Sequence, residues 1–192
     1  MLAEEALGIA REQGFALRHA EAMGLRGWAL AQQGQGEAGI IQIRQGLAAE
    51  RSAGIGTGQL YRLALLADAY GQTGQISEGL QVFDEALRRV DHYGSRPWVA
   101  ELQRLKGEFL LVHGTDQGAA AEDCFRQALD IARRRRAKSL ELRAAMSLSR
   151  LWRRQGKCDQ ARVLLAPIYG WFTEGFDTAD LREGKALLEE LS

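Results

Sequence analysis

Apolar residues recur along this chain at intervals of three and four, with polar residues between them, which is the period of a helix with one buried face rather than the alternation of a strand. The pattern predicts ten helices, near residues 2–13, 17–33, 36–53, 57–73, 76–92, 97–113, 118–136, 138–155, 158–173 and 178–191. A longer period lies over it. Leu30/Gly34, Tyr70/Gly74, Leu110/Gly114 and Trp152/Gly156 each set a bulky residue four positions before a glycine, at steps of 40, 40 and 42 residues. Gly34, Gly74 and Gly156 suit tight helix-to-helix turns, and Pro97 suits a first helical turn, where a missing N–H costs nothing. Pro167 falls inside the ninth predicted helix and should kink it or end it early, redirecting Tyr169, Trp171 and Phe172.

Each bulky anchor is followed by a small, bulky and small residue at helical spacing. Gly39, Ile43 and Gly46 follow Leu30, Gly79, Phe83 and Ala86 follow Tyr70, and Ala161, Leu165 and Ile168 follow Trp152. Ala121, Phe125 and Ala128 come two residues late after Leu110, which fits a longer turn over 115–118 and accounts for the 42-residue step. Side chains spaced in this way stack on one stripe of a helix. Small residues let two antiparallel helices approach while large ones fill the groove, and one such pair cannot bury its apolar face alone, so pairs must stack. The expected fold is all-α, an α-α superhelix of antiparallel helix pairs.

The set Leu63, Leu66, Ala67, Tyr70, Gly74, Gly79, Phe83 and Ala86 resembles the tetratricopeptide repeat signature. The chain departs from it in a period near 40 and in lacking a proline at the end of each second helix, features that point to longer-helix relatives in bacterial signalling ATPases. The segment from Leu164 to Leu181, with Lys185-Ala186-Leu187-Leu188 after it, and Gly27-Trp28-Ala29-Leu30-Ala31 resemble the C-terminal repeat region of bacterial adenylate or guanylate cyclase-type AAA ATPases. The resemblance implies a tetratricopeptide-like solenoid over 1–192 as a single domain and a fragment of a longer protein. Its parts would be a half repeat at 1–15, repeats near 16–55, 56–95, 96–137 and 138–175, and a capping helix at 178–191. Any cyclase or ATPase activity would lie in absent parent modules. In the cap, Leu181, Leu187, Leu188 and Leu191 are expected to face in, with Arg182, Glu183, Lys185, Glu189 and Glu190 outward. Leu7, Ile9 and Ala10 form the uncovered half repeat, and a homodimer through that N-terminal helix is the alternative to a preceding partner helix.

Composition removes several functional classes. The 192 residues are 46% hydrophobic with two prolines, enough for a core of long helices. Apolar runs such as 64–67 are far shorter than a membrane span, and Glu4 and Glu5 stand where a signal peptide needs basic residues, so a cytoplasmic protein is expected. Cys124 and Cys158 show no metal or redox spacing, and His19, His92 and His113 have no ligand neighbours in sequence. Nucleophile, phosphate-loop and zinc motifs are absent, leaving neither enzyme activity nor a cofactor or metal to assign. The glycine run over 54–58 follows no strand and reads as turn chemistry.

In tetratricopeptide stacks the first helix of each pair lines a concave groove. On these helices the resemblance marks Trp28, Gln32, Tyr61, Asp68, Gln72, Arg104, Glu108, Arg143, Met146, Arg150, Arg153 and Arg154 as groove candidates. The fourth set is arginine-rich, and arginine pairs bidentately with carboxylates and phosphates. Net charge is zero overall, yet residues 126–162 carry twelve Lys or Arg against Asp130, Glu141 and Asp159. These arginines either hold a ligand or pair with acidic neighbours such as Glu108 and the last helix. The leading expectation is a regulatory scaffold holding an acidic peptide or a segment of the parent chain. The alternative is an anionic-ligand or nucleic-acid binder acting through 126–162, disfavoured by overall neutrality and the lack of a base-reading motif.

Overall fold

A computed structural model describes residues 5, 8–10, 14–52, 58–89, 98–114 and 117–192. Among these lie nine helices and no strand: α1 (Ala16–Gln32), α2 (Gly36–Ser52), α3 (Gln59–Gln72), α4 (Ile76–Arg88), α5 (Trp98–His113), α6 (Gly118–Arg134), α7 (Lys138–Arg154), α8 (Cys158–Tyr169) and α9 (Ala179–Glu190). They fall into two compact units, Met1–Trp98 and Val99–Ser192. The first contains the pairs α1/α2 and α3/α4. The second contains α5/α6, α7/α8 and the closing helix α9. Leu7, His92, Pro97, Thr115 and the glycine run over 54–57 lie outside the described residues. Of the expected half repeat, residues 5 and 8–10 are helical, with Ile9 exposed and Ala10 buried.

The stripe read from the sequence forms the core. Ile43, Phe83, Phe125 and Leu165 are each at most 2% exposed, and Ala86, Ala121, Ala128 and Ala161 are fully covered. Four positions on the first helices complement it at the repeat period: Gly27, Ala67, Gly107 and Ser149, all buried. A Cβ on Gly27 would stand 2.7 Å from the Gly39 carbonyl oxygen, and one on Gly39 would stand 2.5 Å from that of Gly27. At Gly107 the obstacle would be the Phe125 ring, 2.5 Å away. In the fourth pair, Ser149 Oγ donates to the Ala161 carbonyl at 3.3 Å, so the crossing there is closed by a hydrogen bond. Leu30 departs from the pattern. It is only half-buried, whereas Tyr70, Leu110 and Trp152 are buried.

The anchor-glycine spacing also sets the turns. Gly34, Gly74 and Gly156 take left-handed φ values of 84°, 76° and 75°. Their amides bond Ala31, Gly71 and Arg153, and the following amides of Gln35, Gln75 and Lys157 reach back to the carbonyls of Leu30, Tyr70 and Trp152 at 2.9–3.0 Å. This double bond pattern satisfies the carbonyls left open at a helix end. Arg136 makes the same turn after α6 at φ 55°, a conformation that costs a side chain roughly 1–2 kcal/mol. Pro167 lies within α8, which ends at Tyr169 rather than near 173 because proline removes a donor and crowds the preceding turn.

One charged pair is buried in the first unit. Glu50 on α2 is fully covered, and Arg62 on α3 donates to its Oε2 at 2.6 Å while Arg62 Nε meets Oε1. The arginine stem runs beside Gly24 and Gly58, where a Cβ would stand 2.9 Å from its atoms. Burial raises the Glu50 pKa above its ordinary value, and the Arg62 hydrogen bond and charge only partly offset this. Because the folded state holds this proton more tightly than the unfolded chain, Glu50 adds stability below about pH 4.5 that fades as pH rises through its folded pKa.

Packing at the crossings predicts two opposite defects. Phe125→Ala should cost about 3–5 kcal/mol by opening a cavity, and Gly39→Ala about 1–3 kcal/mol by overpacking, each read from urea unfolding. For the buried pair, Glu50→Gln should cost less than the roughly 3–5 kcal/mol typical of breaking a buried ion pair, since a neutral side chain also escapes the desolvation that raises the Glu50 pKa. Replacing both partners, Glu50→Leu with Arg62→Met, should restore stability to within about 1 kcal/mol of the parent or exceed it.

Candidate functional site

First-helix faces carry the groove candidates, and in the first unit they converge on one carboxylate. Asp68 Oδ2 on α3 accepts from Trp28 Nε1 at 2.8 Å, Gln32 Nε2 at 2.9 Å and Gln72 Nε2 at 3.0 Å. Trp28 and Gln32 lie on α1, so the carboxylate ties one first helix to the next. Both glutamines are exposed. Tyr61, one end of the same helix, is 40% exposed, with its ring 6.0 Å from that of Trp98. This face offers amide donors and acceptors and, at the other end of α3, an aromatic surface.

The second unit arranges its candidates differently. Arg104 grips Glu101 with Nη2 at 2.7 Å and Nε at 3.0 Å, and lies 3.6 Å from Glu108. Ser147 Oγ donates to Glu108 at 2.6 Å. Arg143 bridges three helices, reaching Glu101 on α5 at 3.3 Å and Asp180 on α9 at 2.7 Å. The Asp180 hydrogen bond, with the charges of Glu101 and Asp180, raises the arginine's pKa against the opposing effect of burial. Arg150 donates to Glu183 at 2.7 Å, and Arg153 pairs with Glu190. Three arginines of α7 are therefore engaged by the acidic side of α9. Met146 is buried, and α9 approaches it through Gly184, where a Cβ would stand 3.5 Å from Met146 Sδ. Arg154 is exposed, with no carboxylate partner among the described residues. Leu181, Leu187 and Leu191 are buried and Leu188 half-buried, while the charged residues of α9 are exposed or turned to α7.

A second feature of this unit escaped the sequence reading. Between α6 and α8 lies a cleft of about 510 Å³, floored by Trp152 and walled by Val163, Leu164 and Pro167. Arg126 lies over the Trp152 ring, its guanidinium carbon 5.4 Å from the centroid. Glu122 holds both, accepting from Arg126 Nη2 at 2.6 Å and from Trp152 Nε1 at 3.0 Å. Burial pushes the Glu122 pKa up, but the bonds from Arg126 and Trp152 outweigh it and the carboxyl stays below its ordinary value. Trp152 was read only as a packing anchor. The signal that could have exposed the cleft is Val163, an apolar residue off the Ala161/Leu165/Ile168 stripe, here 76% exposed.

No group of three or more His, Cys, Asp or Glu among the described residues could hold a metal ion. Cys124 is buried and Cys158 half-buried. No helix among these residues is long and apolar enough to cross a membrane.

No protein-family model matches the chain. An uncharacterized protein of Rhizobium meliloti (strain 1021) is 30% identical over 148 residues, which is 74% of this chain but only 14% of that protein. Among solved structures, a Podosopora anserina protein described as a kinesin light chain with nearly identical TPR-like repeats aligns at a TM-score of 0.63 and 18% identity, covering 89% of this chain and 84% of that one. A single-substitution variant of it aligns at 0.64 with the same identity and coverage. At this identity the likeness concerns architecture alone, and the fold of this chain is an all-α, tetratricopeptide-like helical repeat.

Proposed function

We propose that this chain is a non-catalytic, cytoplasmic protein-interaction region that holds a peptide segment on the first-helix face of its first unit. The observation that carries the reading is the convergence of Trp28, Gln32 and Gln72 on Asp68. The carboxylate pre-positions two exposed amides about three helical turns along α3 from Tyr61, so a peptide backbone meets ordered donors and acceptors without ordering them itself. Proteins built of such repeats generally act through interaction surfaces. Three of the four arginines of α7 are committed to α9, which favours the first unit over the second as the place for a ligand on this face.

We also propose that the chain is the repeat region of a larger signalling ATPase or nucleotide cyclase, whose own segment would be the natural occupant. Support for a longer parent comes from the Rhizobium meliloti relative, of which the matched region is 14%, and the ATPase or cyclase reading rests on the resemblance of the Leu164–Leu181 segment.

Panning a random peptide library displayed on phage over the 192-residue protein should enrich a consensus. Its synthetic peptide should lose about tenfold in affinity, or about 1.4 kcal/mol, in the Tyr61→Ser, Gln72→Lys double variant. Both positions are exposed, so thermal unfolding should barely change. Absence of any consensus, or unchanged affinity in the variant, would overturn the assignment, as would nucleotide hydrolysis or cyclisation by the purified chain.

A further inference from the structure

The cleft between α6 and α8 lies among the second helices of the second unit and has its own chemistry. We infer that it docks a short acidic segment of a partner protein carrying one apolar anchor side chain. Three properties of the cleft lead there.

Its walls are apolar and open. Val163 is 76% exposed with Leu164 and Pro167 beside it, and the cleft volume of about 510 Å³ falls in the range of sites that take a small ligand or a few side chains. Pro167 adds a backbone feature. Having no N–H, it deprives the Val163 carbonyl of its helical donor, and this leaves an acceptor along the wall that a peptide amide can use.

Its surroundings are cationic. Residues 118–169 carry twelve Lys or Arg against five Asp or Glu. Arg143, Arg150 and Arg153 are taken by α9. Arg134, Arg135, Arg136, Arg154 and Arg162 are exposed and have no carboxylate partner among the described residues, while the charge of Lys157 acts on Glu122. The lining itself holds Arg126 and Arg133, each paired with a glutamate, and the acid Asp159. The unpaired cations flank it in sequence: Arg162 adjoins Val163, and the run from Arg134 follows Arg133. Arg136 occupies a left-handed turn position that glycine fills after α1, α3 and α7. Unpaired arginines on α8 and at the end of α6, the two helices that bound the apolar trough, favour carboxylates flanking a hydrophobic side chain.

Its floor disfavours nucleic acid. Binding of single strands relies on open aromatic faces for base stacking. Trp152 is 9% exposed, and Arg126 covers its ring, fixed there by Glu122. The floor is thus a pre-shaped apolar surface with no ring free to stack.

Four tryptophans, Trp28, Trp98, Trp152 and Trp171, give four indole N–H reporters. Titrating the intact 15N-labelled chain with a short glutamate-rich peptide bearing a central leucine should move the Trp152 indole resonance saturably. A serine in place of that leucine, or Val163→Asp in the protein, should each weaken binding at least about tenfold. Arg162→Glu should weaken it less, with a reduced salt dependence. The rest of the spectrum reports whether each variant remains folded. The site is disproved if no saturable shift occurs, if the serine peptide binds as tightly, or if a short oligothymidylate outcompetes the leucine peptide. A response confined to Trp28 would likewise overturn it while leaving the first-helix reading standing, whereas a response confined to Trp152 supports the cleft and leaves that reading to its own selected peptide.

Discussion

Everything in this structure depends on how closely the two helices of a pair can approach. Where α1 crosses α2, the glycines at 27 and 39 bring backbone against backbone, and either Cβ would collide with a carbonyl. Ser149 and Ala161 meet in the fourth pair, and Gly107 admits the Phe125 ring in the third. Close approach lets the intervening large residues, Ile43, Phe83, Phe125 and Leu165, fill the groove to crystal-like density. Packing covers most of α3 and α7, and polar chemistry is left to the positions that stay exposed or half-buried, such as Asp68, Gln72 and Arg150.

That polar chemistry joins successive first helices. Asp68 collects donors from α1, Glu108 accepts from Ser147, and Arg143 spans from Glu101 to Asp180. Individually, exposed pairs such as Arg150 with Glu183 contribute little, about 0–1 kcal/mol. Their effect is on availability: an arginine that holds α9 in register is not a vacant phosphate or carboxylate receptor. The acidic side chains of α9 thus settle which cations of α7 are held and which face solvent.

Legibility in the sequence followed the physics of each layer. The crossing stripe was visible because a small residue followed by a bulky one recurs at helical spacing in every second helix, with glycine, which is costly inside a helix, at some of the small positions, so Gly39, Phe83 and Ala161 could be placed from spacing alone. Turn glycines at 34, 74 and 156 were visible for a similar reason, their left-handed backbones being closed to most side chains. Leu30 was misjudged because its position carries the repeat signature while its neighbours leave it half-buried. Helix α8 ends sooner than hydrophobic period suggests, since Pro167 acts through a missing donor that periodicity does not register. The commitments of the arginines could not be chosen between from sequence: Arg143, Arg150 and Arg153 meet partners 37, 33 and 37 residues away, and only the docked helix decides which carboxylate each one finds. Likewise the cleft over Trp152 is a gap between elements, and a gap has no residue pattern of its own.

Native-state hydrogen exchange tests the governing role of the crossings most directly. If close approach at the small residues sets the stability of each pair, the slowest amides within a pair should cluster where the helices cross, around 27 and 39, 67 and 79, 107 and 121, and 149 and 161. Their opening free energies should approach that of global unfolding. Slowest exchange concentrated instead in α9 and its arginine partners, with the crossings opening locally at low cost, would contradict the account.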